Sequence, residues 1–333
     1  MNLETIAHRC GVSRSTVSRV INNSPNVRPE VRERVMQVLK ETNFQPNLAA
    51  RSLAAGATHI LGLVIPIGVS HLFVDPYMPL LIQGISAECN ARDYSVMLWL
   101  ADPEYERRMI AQILHSGLID GVIVSSQLVG DPLIDALLDH HFPFVVVGRV
   151  ATPRPVYSVD VDNIAGACCA AEHLLGLGRS RLATITGPLG SPASSDRLEG
   201  YFEALRRSGL PVQHEWVVEG NFTQEGGYEA MRRLLEHRPD AVFAASDAMA
   251  QGALRAITEA GLRVPDDVAL AGFDDMPFAA HMNPPLTTIH QPIELMGSTA
   301  VNLLLERLHA PDADQPERVL LPTELIIRES SRG

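Results

Sequence analysis

The sequence predicts a small all-α head followed by a large α/β core made of two parallel sheets, each with helices on both faces. Within the first 45 residues, apolar positions recur at the 3/4 spacing of helices. From residue 60 onward, continuous apolar runs bounded by Gly, Pro or Asp alternate with helix-length amphipathic segments. That is the pattern of buried parallel strands joined by crossover helices. About 270 residues of this alternation is long for one sheet, so two α/β units are expected.

In the head, Asn2 can cap a first helix carrying Leu3, Ile6, Ala7 and Cys10 on one face. Gly11 supplies the permissive backbone of a tight helix–helix turn, and Ser13 is a good N-cap for the next helix. There Val17, Val20 and Ile21 can pack inward, while Arg14, Ser15, Ser18, Arg19 and Asn22 point elsewhere. Hydroxyls, guanidiniums and an amide on one helix face suit phosphates and base edges. Pro29 fits a helix start, and Val31, Val35, Val38 and Leu39 form the stripe of a third helix. A linker around Pro46 leads to a short helix, Leu48 to Ala55, capped by Asn47 and ended by Gly56. Eight residues are marginal as a helix in water, so this one needs something to pack on.

The core strands are predicted in two series. The first comprises Ile60–Ile67, Ser95–Leu100, Gly121–Val124, Phe144–Val147 and Val156–Val161; the second comprises Leu182–Thr186, Ala241–Ala244, Val268–Gly272 and Thr287–Ile289. Helices are predicted between them, among others over Pro79–Asn90, Tyr105–Ser116, Gly166–Leu175, Arg197–Ser208, Gly226–His237 and Ala248–Ala260. The break between units falls near Asp160–Asn163, and a last strand-like segment, Val319–Ile327, nearly ends the chain.

Charge separates the two parts. Residues 1–56 hold eight Lys/Arg against four Glu, a net of +4. The remainder keeps 19 of the chain's 27 basic and 35 of its 39 acidic residues, a net of −16. A basic head on an acidic body points to a nucleic-acid contact confined to the head, strongly dependent on salt. No stretch of eighteen apolar residues occurs, and the polar start runs directly into a helix pattern, so a cytoplasmic, soluble protein with no membrane partner is expected. The four cysteines lack metal-ligand or CxxC spacing and read as reduced structural thiols; no metal and no cofactor is expected. An enzyme is disfavoured because no GxGxxG follows a strand and neither a P-loop nor GxSxG is present; Gly176-Leu177-Gly178 follows a helix and reads as its cap. An architectural DNA-bending protein would share the basic head. A transport binding protein would share the α/β core but has no use for that head.

The chain resembles the lac repressor (LacI/GalR) family of bacterial transcription regulators over nearly its whole length. The head motif is carried by Ile6-Ala7, Gly11-Val12-Ser13, Thr16-Val17-Ser18-Arg19 and Asn22, and the hinge motif by Pro46, Ala50, Arg51 and Leu53. In the body, Asp120–Ile123, Gly148-Arg149, Ser246-Asp247, Val264–Val268, Gly272-Phe273-Asp274 and Leu286–Ile289 stand at family positions. The resemblance implies a helix-turn-helix DNA-binding domain over 1–45, a hinge helix and linker over 46–57, and an effector-binding and dimerisation core over 58–333. Its core would be of periplasmic-binding-protein type I architecture, two doubly wound subdomains over 58–161 plus 292–321 and 162–291 plus 322–333. A homodimer is implied whose affinity for a pseudo-palindromic operator changes when a small metabolite enters the cleft.

Carried onto this chain, the resemblance puts the helix after Ser13 in the major groove, with Arg14 and Ser15 setting specificity and Arg19 as a second base contact. Thr16, Ser18 and Asn22 are assigned to phosphates. Asn47 and Ala50 belong to the hinge, and Leu53 would wedge into a central base step of the minor groove; plain packing against the core is the alternative, and the joint match of Ala50, Arg51 and Leu53 favours the wedge. In the cleft the matching positions are Arg197, Asp274, Asp247, Phe222 and Tyr77. Arg197 can fork onto ligand oxygens and Asp274 can accept from vicinal hydroxyls. Asp247 reads equally as a helix N-cap, and Phe222 and Tyr77 read almost as well as ordinary packing. Trp99 reads as a core residue before a stacking face. Purine-binding relatives carry Arg and Thr where this chain has Ser191 and Ala193, which favours a sugar or sugar derivative over a nucleoside or phosphorylated corepressor. A sugar-handling enzyme is the least favoured reading.

Overall fold

The computed structural model describes residues 2–21, 24–42, 44, 57–65, 72, 76–100, 110, 114, 117–125, 132–150, 152–310 and 318–332. They divide into two compact units, Met1–His59 and Ile60–Gly333.

The first unit holds helices α1 (Leu3–Cys10), α2 (Arg14–Ile21) and α3 (Pro29–Glu41). The Asn2 side chain accepts from the Thr5 amide and caps α1, and Gly11, at φ +61°, ends it in the left-handed conformation that only glycine adopts without cost. Ser13 Oγ accepts from the Thr16 amide at 3.2 Å, so α2 is capped as its sequence predicts. Ile6, Ala7, Cys10, Val17, Val20 and Val35 form the buried centre, with Leu3, Ile21, Val31, Val38 and Leu39 packed around it. The predicted hinge helix, with Asn47, Ala50 and Leu53, lies outside the described residues, as do Asn22 and most of the helix predicted over Tyr105–Ser116.

The second unit is built on two six-stranded sheets. The first contains β1 (Ile60–Ile65), β2 (Ser95–Leu100), β3 (Gly121–Val124), β4 (Phe144–Val147), β5 (Ser158–Val161) and β11 (Arg318–Leu321), ordered β11-β5-β4-β3-β1-β2 and parallel throughout. The second contains β6 (Leu182–Thr186), β7 (Val217–Glu219), β8 (Ala241–Ala244), β9 (Ala269–Asp274), β10 (Thr287–His290) and β12 (Glu324–Ile326), ordered β12-β10-β9-β8-β6-β7. Its pairings are parallel except that β12 runs antiparallel to β10. Helices α4 (Tyr77–Ala91), α5 (Pro132–Asp139), α6 (Asn163–Gly176), α7 (Pro192–Arg207), α8 (Gln224–Leu234), α9 (Asp247–Glu259) and α10 (Ile293–His309) cover the faces. The chain passes from one sheet to the other after β5, after β10 and between β11 and β12.

The segment Val319–Ile327, read from sequence as one strand, is two: β11 extends the first sheet and β12 the second. Its apolar alternation is compatible with either sheet, and Pro322 and Thr323, which belong to neither strand, separate the two halves. Helix α10 escapes the amphipathic pattern because it packs on both α4 and the first sheet. Ile293, Met296, Val301, Leu304 and Leu305 are all buried, so its buried face takes up about half the helix circumference, wider than a simple stripe. The edge strand β7 is too short for a periodicity.

Burial on both faces explains why the central strands read as unbroken apolar runs: β3, β4, β8 and β9 are buried at every position. Trp99 is half-buried and packs against the cluster that contains Val64, Val122 and Leu133, in keeping with a core residue. All four cysteines are free thiols; Cys10, Cys89 and Cys168 are buried and Cys169 is exposed. Burial pushes Cys89 and Cys168 up to about 11, far from the reactive range.

Candidate functional site

Open parallel sheets place ligand sites beyond the carboxyl ends of their strands. The second unit has a cavity there, lined from both sheets. Ser125 follows β3, Arg149 follows β4 and Asp160 lies near the end of β5; opposite them, Ser191 precedes α7, Asp274 ends β9 and Gln291 follows β10. Between them lies a cleft that opens to solvent.

Arg197 is the centre of the arrangement. It is 5% exposed, and three groups fix its guanidinium: Nε donates to Asn163 Oδ1 at 2.9 Å, and Nη1 donates to the Ala245 carbonyl at 2.6 Å and to Asp274 Oδ1 at 3.2 Å. Its flat face lies 3.7 Å from the centre of the Phe273 ring. The fork is thus held through Nε and Nη1 and along one face. Asp274 takes a second hydrogen bond from Gln291 Nε2 at 2.5 Å, and its backbone stands at φ +114°, a conformation that costs a non-glycine residue about 1–3 kcal/mol. Strain of this kind collects at binding sites.

Phe222 and Tyr77 both line the cavity, so the structure brings them together with Arg197 and Asp274. Phe222 sits at φ +60° with its ring against Gly187; a Cβ at Gly187 would fall 2.2 Å from the ring. That glycine is required by close approach, and the ring is thereby fixed over the loop that carries Ser191.

Asp247 is corrected on both of its readings. It does not line the cavity and it is not the cap of α9: Ser246 is, accepting from the Met249 amide at 3.2 Å. Asp247 is fully buried, with Oδ2 accepting from the Met276 amide at 2.7 Å and Oδ1 from the Thr288 hydroxyl at 2.5 Å. Burial and the neighbouring Asp274 carboxylate hold its pKa well above the usual carboxylate range. It ties α9 to the loop after β9 and to β10. The family position alone gave no sign of this, because an Asp at a helix start looks the same in sequence whether its side chain turns outward or down.

Three contributors were not singled out from sequence. Arg149 forms a bidentate pair with Asp196 of α7, both bonds at 2.8 Å, joining the two sides of the cavity; the bonding to Asp196 raises the Arg149 pKa. Asn163 couples Arg197 to Asp160 by donating to Asp160 Oδ1 at 3.2 Å. Gln291 braces Asp274. The motif Gly148-Arg149 and the break at Asp160–Asn163 marked these places, and only the fold brings them to one wall.

In the head, Arg14, Ser15 and Arg19 are exposed on α2, whereas Thr16 and Ser18 are half-buried. Ser13 Oγ lies 2.8 Å from both Ser15 Oγ and Thr16 Oγ1, so these hydroxyls form one polar cluster at the start of α2. The start of a helix presents unpaired amides that favour anions.

Residues 2–47 match the family described as bacterial regulatory proteins, lacI family, and residues 171–331 match a periplasmic binding protein-like domain. The chain is 40% identical to the HTH-type transcriptional regulator CelR of Thermobifida fusca over 332 residues, covering 98% of this chain and 97% of that one. A solved complex of transcriptional regulator CelR with cellobiose superposes with a TM-score of 0.79 at 37% identity, covering 99% of each chain. The lac repressor dimer bound to operator and the anti-inducer ONPF superposes at 0.88 with 29% identity, covering 100% of this chain and 99% of that one. With a basic head in front of a two-sheet core and these likenesses along its entire length, the chain belongs to the lacI family of bacterial regulatory proteins and is a DNA-binding transcriptional regulator, not an enzyme.

Proposed function

We propose that this chain is a repressor that binds a pseudo-palindromic operator as a homodimer and changes its affinity when a neutral sugar or sugar derivative enters the core cavity. The observation that carries the reading is the buried Arg197–Asp274 pair at the cavity wall, with Phe222 and Tyr77 beside it. A fixed donor fork, a carboxylate acceptor and aromatic faces are the groups that hold sugar hydroxyls and ring faces. The CelR relative, solved with cellobiose, points to a β-linked glucose disaccharide as the first ligand to try. Ser191 and Ala193 at the cavity supply neither the Arg nor the Thr expected for a purine.

The head, 1–45, is the DNA reader, the segment 46–57 the hinge, and 58–333 the sensor. Arg14 and Ser15 choose the bases with Arg19; Thr16, Ser18 and Asn22 hold phosphates; Ser13 caps the reading helix at the DNA surface; Asn47, Ala50 and Leu53 act in the minor groove. The protein works in the cytoplasm, on the nucleoid when bound to operator; among the described residues no helix is long and apolar enough to cross a membrane.

The test is a thermal-unfolding screen of the full chain against sugars, sugar phosphates and nucleosides, followed by anisotropy titrations on a duplex selected from random DNA. A neutral sugar raises the unfolding temperature and shifts operator affinity; a shift with nucleosides alone overturns the sugar reading. On that duplex, Arg14→Ala relaxes discrimination at one base pair by about 1–3 kcal/mol, whereas Ser18→Ala weakens all sequences alike. Equal losses from both variants on every sequence would refute the division of roles.

A further inference from the structure

Four buried side-chain polar atoms among the described residues lack a hydrogen-bond partner: Arg154 Nε, Asp160 Oδ2, Thr186 Oγ1 and Ser194 Oγ. Only Asp160 belongs to the cavity wall. It is 3% exposed. Its Oδ1 is occupied, accepting from the Val161 amide at 2.8 Å and from Asn163 Nδ2 at 3.2 Å. The cation that faces Oδ2 is Arg318, whose Nη2 stands at 3.7 Å, beyond hydrogen-bond length. A buried acceptor left in that state is costly, and a hydroxyl donor arriving with a ligand removes the cost. Burial also lifts the Asp160 pKa, the mark of a carboxylate short of partners.

The charges around it are already matched. Arg149 is paired with Asp196, Arg197 with Asp274, and Arg318 faces Asp160. Among the described residues the wall therefore offers no uncompensated cation to a phosphate, but it does hold one carboxylate oxygen, Asp160 Oδ2, that lacks a hydrogen-bond donor. Asp160 is also the far end of a continuous chain, Asp160–Asn163–Arg197–Asp274–Gln291, that runs from β5 to the segment after β10.

We infer that Asp160 contacts the ligand from the first-sheet side of the cavity and selects an uncharged, hydroxyl-donating sugar against its phosphorylated counterpart. This rests on the sugar reading above. A hydroxyl of the bound sugar donates to Oδ2, so that Asp160 and Asp274 grip the ligand from opposite sheets. A phosphate at the same place meets a carboxylate and is repelled.

The test is calorimetric titration of the full chain and of Asp160→Asn with cellobiose, glucose and ribose, and with glucose 6-phosphate and ribose 5-phosphate. The parent chain binds a neutral sugar and neither phosphate. Asp160→Asn keeps the fold, because its amide oxygen still accepts from the Val161 amide, and weakens the neutral sugar by about tenfold or more. Should that variant yield too little folded protein, Asp160→Ser reads the same loss of neutral-sugar affinity. Unchanged affinity in either variant overturns the role of Asp160 while leaving the sugar reading intact. Binding of a phosphorylated sugar by the parent chain as tightly as a neutral one overturns the selectivity. Failure of the parent chain to bind any neutral sugar overturns both.

Discussion

Two arginine–carboxylate pairs in this molecule have the same chemistry and opposite weight. In the head, Arg14 and Glu4 approach to 3.9 Å with side chains 67% and 72% exposed. In the core, Arg197 and Asp274 stand 3.2 Å apart with side chains 6% and 5% exposed. Water screens the first pair and leaves its members mobile, so it contributes below about 1 kcal/mol and frees Arg14 for another partner. The second pair is cut off from water, and each member depends on the other and on Asn163, Ala245 and Gln291. The head keeps its functional groups loosely held at the surface, for a partner that arrives with its own charge. In the core they are preorganised before any ligand enters.

That contrast can be broken most severely at Arg197. Arg197→Leu leaves Asp274 buried without its cation and should lower core stability by about 3–5 kcal/mol, with loss of sugar binding, in denaturant unfolding and calorimetry. A loss below about 1 kcal/mol would mean that the core pair is as dispensable as the head pair. Asp247→Ala comes next. It strands the Met276 amide and the Thr288 hydroxyl and should cost about 2–3 kcal/mol. Because Asp247 is behind the wall, the folded variant keeps its sugar affinity within about twofold, and loss of binding without loss of stability would return Asp247 to the cavity. The smallest effect belongs to Glu4→Gln, which should change head stability by less than about 0.5 kcal/mol and leave the unfolding transition in place. A large shift there would show that the surface pair does hold the head together.

The head was readable almost to the residue. Asn2, Gly11, Ser13 and Pro29 act at the positions where their local chemistry predicts a cap, a turn, a cap and a helix start, and the buried valines follow the 3/4 spacing. Caps and stripes are short-range: the partners lie within four residues, so spacing alone determines them. In the core, strand existence was legible for the same reason. Sheet membership was not. The Val319–Ile327 segment divides between two sheets because pairing partners far away in the chain decide where each half goes: Ser158–Val161 for β11 and Thr288–His290 for β12.

Within the cavity, Arg197 and Asp274 were assigned through the family resemblance; Arg149 stood in a family motif without an assigned role, and Asp160, Asn163 and Gln291 carried no assignment. A hydrogen bond spanning 77 residues, as between Arg197 and Asp274, leaves no periodic trace. Asp247 shows the reverse failure, since a motif residue with the right chemistry turns its carboxylate away from the cavity to satisfy buried groups.

By itself the sequence determined the three-helix head, its charge contrast with the body, the alternation of strands and helices, and the family. Each depends on composition or on neighbours within a few residues. Only the tertiary structure decided which carboxylates face the cavity, which arginine is clamped and which is loosely paired, and which sheet each end of the chain joins. Those outcomes depend on burial, and burial is fixed by contacts between residues far apart in the chain, where the cost of an unpaired charge or hydrogen-bonding group selects one arrangement.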